Sequence, residues 1–92
     1  MAGPLFATDS PDQILQVGLD GLITCFHRRS GTTHLLAPPA PEILDVLAEG
    51  PAAIPTILSR LKRRFDVGGR NAKASLEARL AELEQAGLIW RL

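Results

Sequence analysis

Asp20-Gly21 constrains this chain more than any other feature. The pair sits between Ile14-Leu15-Gln16-Val17-Gly18-Leu19 and Leu22-Ile23-Thr24-Cys25-Phe26-His27. A two-residue loop needs positive φ at its centre, which Asp-Gly accepts at little cost, and its twist matches that of the flanking strands. The loop sets Leu19 opposite Leu22, Val17 opposite Thr24 and Leu15 opposite Phe26. Most large side chains of the hairpin then share one face, which is expected to cover the core. A second reversal at Arg29-Ser30-Gly31-Thr32 returns the chain through Thr33-His34-Leu35-Leu36, with Leu35 opposite Phe26 and His34 opposite His27. Leu19 and Leu22 form a hydrogen-bonded pair. Alternation therefore turns the backbone of Ile23, Cys25 and His27 toward the third strand, where His34 and Leu36 answer, while Thr33 and Leu35 point outward.

Ala37-Pro38-Pro39-Ala40 ends the sheet, and Pro41 suits the first turn of a helix, where an N–H would lack a partner anyway. Ile43, Leu44 and Leu47 form its buried stripe, and Gly50 stops it. A second helix begins between Pro51 and Ile54, with Pro55 in its first turn and Ile54, Ile57, Leu58, Leu61 and Phe65 at helical spacing. Asp66-Val67-Gly68-Gly69-Arg70 breaks that pattern. Asn71 then caps a third helix with core positions Leu76, Leu80 and Leu83, and Gly87 ends it. The last five residues are too short for a helix and are expected to fold back as an apolar clasp or short strand. The fold class is α+β, winged-helix-like: a three-stranded antiparallel β-meander followed by three α-helices. Residues 1–13 read as a flexible N-terminal arm on which Leu5 and Phe6 are able to dock, and residues 14–92 as the domain.

Ninety-two residues, 46% hydrophobic and 22% charged, suit one small folded domain rather than a disordered chain. Ten basic and ten acidic residues balance to a formal charge of zero, so no global field draws the chain to nucleic acid or anionic lipid. A single cysteine, Cys25, forbids an internal disulfide. The N-terminus lacks a basic leader with a long apolar run, and no segment is long enough to span a membrane. A cytoplasmic location is expected.

Nothing in the chain points to catalysis: it has no glycine-rich phosphate loop, nucleophile elbow or clustered carboxylate pair. Cys25, His27 and His34 share a strand face, and three such ligands suit zinc with an open position. One hairpin often juxtaposes such residues, however, and no paired ligand spacing is present, so neither metal nor cofactor is expected. The segment Thr33-His34-Leu35-Leu36 carries no formal charge and no proline before Pro38, the pattern of an edge meant to dock a strand. Cover by the N-terminal arm or the C-terminal tail is the alternative. The basic run Arg60, Lys62, Arg63 and Arg64 suits a solvated helix C-terminus or a surface that docks an acidic partner. Helix two, the glycine loop and helix three also outline a helix-turn-helix, which makes a winged-helix DNA-binding regulator the alternative function. Helix three nevertheless mixes Lys73 and Arg79 with Glu77, Glu82 and Glu84, without the positive excess that phosphate contacts need.

Several segments together resemble the PqqD-like peptide chaperones, also called RiPP recognition elements: the hairpins, the Ser30-Gly31 turn, Thr33-His34-Leu35-Leu36 leading to Pro38, the Ile43-Leu44/Leu47 helix, and Leu80-x-x-Leu83-x-x-Ala86-Gly87-Leu88-Ile89. The likeness runs from about Ile14 to Ile89. Gly31-Thr32-Thr33-His34-Leu35-Leu36-Ala37-Pro38 is most similar to the branch of HPr-kinase-related peptide-modification systems. Ala37-Pro38-Pro39 stands where many members tied to PQQ biosynthesis carry a polar residue. The resemblance implies a non-catalytic domain that binds the leader of a ribosomally made precursor peptide by strand addition and presents it to a modifying enzyme. Carried over, the edge is Thr33, His34, Leu35, Leu36 and Ala37, and the groove wall is Ser75, Leu76, Arg79, Glu82 and Leu83. Arg60, Lys62, Arg63 and Arg64 become the surface for the enzyme. Nucleic acid and membrane are not expected partners, and a homodimer through the free strand edge is a further possible assembly.

Overall fold

A computed structural model describes residues 3–20, 22–37, 39–64 and 71–92. Gly21, Pro38, Phe65 and residues 66–70, on which parts of the sequence reading fell, lie outside the described residues. In chain order the elements are β1 (Phe6–Thr8), β2 (Ile14–Leu19), β3 (Leu22–His27), β4 (Thr32–Leu36), α1 (Ala40–Leu47), α2 (Ile54–Arg64), α3 (Ala72–Gln85) and β5 (Ile89–Arg91). The expected α+β meander is present as an antiparallel sheet of order β2-β3-β4, followed by three helices.

The first hairpin has the expected register, with Leu19 opposite Leu22, Val17 opposite Thr24 and Leu15 opposite Phe26. Asp20 adopts φ 52° to close it. The second hairpin is shifted: Phe26 pairs with Thr33, Cys25 with His34, and Thr24 with Leu35. Its loop is residues 28–31, one residue earlier than the sequence suggested. Gly31, at φ 72°, supplies the left-handed conformation at the last loop position, and its N–H donates to the His27 carbonyl at 2.8 Å. Pairing therefore resumes at Thr32. Partners move by two residues, an even number, so every side chain keeps its face and Thr33 and Leu35 still turn their backbone groups outward. The Arg28 N–H, donating to the Gln13 carbonyl at 2.8 Å, carries the β2–β3 ladder one step further in the same phase.

The buried face of the sheet is the opposite of the one expected. Ile14, Cys25, His27 and Leu36 point into the protein, whereas Leu15, Val17, Leu22, Phe26 and Leu35 lie on the exposed side. Side-chain size favoured the second set, but the chain leaving β4 decides the matter. Leu36 enters the cluster formed by Ile43, Val46 and Leu47 of α1, Ile57 and Leu61 of α2, and Leu76, Leu80 and Leu83 of α3. Because alternation is strict, the face that carries Leu36 also carries Cys25. Val17 is 55% exposed and Cys25 fully enclosed. We expect Val17→Lys to change stability by no more than about 0.5 kcal/mol, whereas Cys25→Lys buries an unpaired charge and unfolds the domain; urea melts of the two variants check this.

Over its described residues the N-terminal arm is docked on the domain. Phe6 is buried, and its N–H and carbonyl pair with Ala52 at 2.8 and 3.0 Å. On its other side β1 joins β5 in a two-stranded sheet, with Ala7 opposite Trp90. Thr8 donates from Oγ1 to the Leu88 carbonyl at 2.8 Å, and the Leu92 N–H donates to the Leu5 carbonyl at 2.9 Å. The tail is thus the expected short strand and apolar clasp. Among the described residues, arm and tail pair with each other and neither pairs with β4. Gly87, at φ 80°, ends α3: its N–H reaches the Glu84 carbonyl at 3.1 Å, and Leu88 N–H reaches the Leu83 carbonyl at 3.0 Å. Asn71 stands at the N-cap of α3, but its side chain makes no capping hydrogen bond, contrary to expectation.

Candidate docking groove at the free strand edge

β4 is paired on one side by β3 and is the last strand of its sheet. Its outward groups are those of Thr33 and Leu35. Beside this edge runs a groove of about 290 Å³, lined by His34, Leu35, Leu36 and Ala37 from β4 and its exit, and by Arg79, Glu82, Leu83 and Ala86 from α3. Positions 79, 82, 83 and 86 form one helical stripe. The groove has an apolar floor in Leu36 and Leu83, a charged rim in Arg79 and Glu82, and unpaired strand backbone along one lip. An extended peptide laid on that lip adds a strand, and alternate side chains enter the groove.

Of the residues expected to bind peptide, His34, Leu35, Leu36, Ala37, Arg79, Glu82 and Leu83 line the groove together, and Thr33 shares the edge. Ser75 and Leu76 do not line it. Ser75 lies a turn away on α3 and is exposed, while Leu76 is committed to the core. Ala86 was missed, although it continues the stripe one turn beyond Glu82 and Leu83. Arg79 donates from Nη2 to Glu82 Oε1 at 2.9 Å, which neutralises the rim, while its Nε is shielded and has no partner among the described residues.

The basic run divides. Arg60 directs Nη1 to the Gly50 and Val46 carbonyls at 3.3 and 3.5 Å, closing the end of α1. Arg64 pairs with Glu49 at 2.6 Å. Lys62 and Arg63 are exposed in the last turn of α2, where their charge suits the helix dipole.

Among the described residues, His27 and Asp9 are the buried polar ones. His27 Nε2 donates to Asp9 Oδ2 at 2.5 Å, and Arg29 Nη2 to Asp9 Oδ1 at 2.9 Å. His27 Nδ1 lies 2.8 Å from Ser30 Oγ, Ser30 Oγ 2.6 Å from Thr32 Oγ1, and Thr32 Oγ1 2.9 Å from His34 Nε2. His34 stands opposite Cys25 rather than His27, and no group of three or more His, Cys, Asp or Glu suited to a metal occurs among the described residues. Burial pushes the Cys25 thiol above its ordinary pKa, away from the thiolate that a nucleophile needs. Among the described residues no helix is long and apolar enough to cross a membrane.

Fold and groove together define a small α+β domain whose β4 edge lies beside a groove on α3. The family model of PqqD, described as coenzyme PQQ synthesis protein D, matches residues 25–89, and the chain belongs to this family. No curated protein sequence matches it. Among solved structures, it is similar to TbiB1 in complex with the TbiA(beta) leader peptide, with TM-score 0.62 and 19% identity over 90% of this chain and 93% of that one. At that identity the likeness concerns the fold.

Proposed function

We propose that this domain binds the leader of a ribosomally made precursor peptide as an added strand on β4 and presents it to a modifying enzyme, without catalysing a reaction itself. The observation that carries the reading is the open β4 edge beside the α3 groove, which among the described residues is lined by neither the N-terminal arm nor the tail. Family membership supports it, and so does the leader peptide held by TbiB1. The Gly31-to-Pro38 segment favours a role beside an HPr-kinase-related modification system, in the cytoplasm where precursors are made. Lys62 and Arg63 are the part of the basic run best placed to meet an acidic surface of the enzyme, because Arg60 and Arg64 are already engaged within the domain.

A few backbone hydrogen bonds plus one or two apolar anchors suit micromolar affinity, about −8 kcal/mol. Fluorescence anisotropy with the N-terminal half of the nearest short open reading frame, and with random duplex DNA, tests the reading. Saturable leader binding with weak duplex binding is expected. Tight, steeply salt-dependent duplex binding with no response to leader would favour the DNA-binding alternative instead. Reversing Lys62 and Arg63 to Glu is expected to weaken the complex with the enzyme about ten-fold while leaving leader affinity unchanged, as measured by titrating each partner separately. Equal losses for both partners would place the peptide on α2.

A further inference from the structure

The residues from Asp9 to His34 form an unbroken chain of hydrogen bonds from the protein interior to the groove. Its direction follows from chemistry. The Asp9 side chain is 3% exposed and takes Arg29 on one oxygen and His27 on the other. A carboxylate only accepts, so His27 carries its proton on Nε2. With a neutral ring, Nδ1 is then a bare lone pair and accepts the hydroxyl proton of Ser30. Ser30 Oγ, having donated, accepts from the Thr32 hydroxyl. Thr32 Oγ1, having donated in turn, accepts from His34 Nε2. Each group has one proton to give and each is given in the same sense, so the last ring is forced into the Nε2–H tautomer.

We infer that Asp9, His27, Ser30 and Thr32 fix the tautomer of His34, so that its Nδ1 faces the groove's guest as a hydrogen-bond acceptor and selects a leader side chain that donates: a hydroxyl, an amide or an ammonium. The inference rests on the leader-binding reading and assigns a chemistry to one position of that same site. His34 lines the groove from the strand that the leader joins, and its Nδ1 has no partner among the described residues. Strand addition places a leader side chain beside it on the helix-facing side of the sheet. An acceptor there favours a donor and disfavours a carboxylate or a backbone-like carbonyl, whereas the other tautomer reverses the preference. Thr32 and Ser30 touch no guest themselves; they are positioning residues.

The test reads the ring before any leader is added. Nitrogen-15 spectra of the histidine rings at about pH 8, above the ordinary imidazole range, report which nitrogen of His34 is protonated. The expected result is Nε2–H in the wild type and a tautomer mixture in Thr32→Val, which keeps the β-branched shape at an exposed position. Ser30→Ala provides a second break in the chain and should have the same effect. Leader affinity, measured with the same synthetic leader, should fall about five-fold in Thr32→Val. Replacing one donor-bearing leader residue with alanine should abolish that difference. A His34 proton on Nδ1, or ring signals unmoved by both substitutions, overturns the inference while wild-type leader binding leaves the broader reading standing. Failure of the wild type to bind the leader at all overturns that reading instead, and with it the proposed selection of the leader.

Discussion

Methylating the backbone nitrogen of Leu35 should lower leader affinity by roughly 1–3 kcal/mol, about 5- to 150-fold, with little loss of stability. Leu35 pairs with Thr24 at a position where its N–H points away from β3, so the methyl group removes a donor from the edge but not from the sheet. The side chain is unchanged. At His34, opposite Cys25, the N–H points toward β3, and the same modification should break the ladder and destabilise the fold. A chain of 92 residues is within reach of chemical ligation. Anisotropy gives the affinity and thermal melting the stability. Normal leader binding by folded, Leu35-methylated protein would contradict strand addition in this register.

Asp9→Ala should be among the most damaging single substitutions outside the apolar core. It leaves the His27 Nε2–H buried without an acceptor and frees Arg29 from its partner. Removing one member of a buried, hydrogen-bonded pair costs about 3 kcal/mol, which in a domain of this size lowers Tm by about 15 °C. Asp9→Asn keeps one accepting oxygen toward His27 and should lose about a third as much. A melting curve for Asp9→Ala within a degree or two of wild type would mean that this cluster does not hold the N-terminal segment to the hairpin.

Much of this arrangement is legible in the residues. Asp20-Gly21 specifies the first hairpin, the Pro41 and Pro55 positions mark helix starts, and Gly87 ends α3, because each depends on local backbone chemistry. The groove is legible in outline for the same reason: once β4 and α3 are placed, Arg79, Glu82 and Leu83 fall on one stripe. The inverted sheet face is not local. Leu15, Val17 and Phe26 look like core by size, yet the exit of β4 into α1 turns Leu36, and with it Cys25, inward. Register in the second hairpin slipped because Gly31, rather than Thr32, closes the loop. Asp9 gave no signal at all. It is a polar residue in a proline-flanked N-terminal segment, and only the fold brings it to His27, eighteen positions away. Ser75, which the resemblance placed on the groove wall, stands one turn before Arg79 on α3 and is not among the residues that line the groove.

The central claim is that a peptide strand joins β4. Amide hydrogen exchange by NMR, with and without saturating leader, tests it most directly. Thr33 and Leu35 should exchange freely in the unbound domain and become strongly protected on binding, while the outward amides of Gln16 and Gly18 on the opposite edge of the sheet remain unchanged. Protection that appears on β2, or leader binding that leaves Thr33 and Leu35 exchanging freely, would contradict the account.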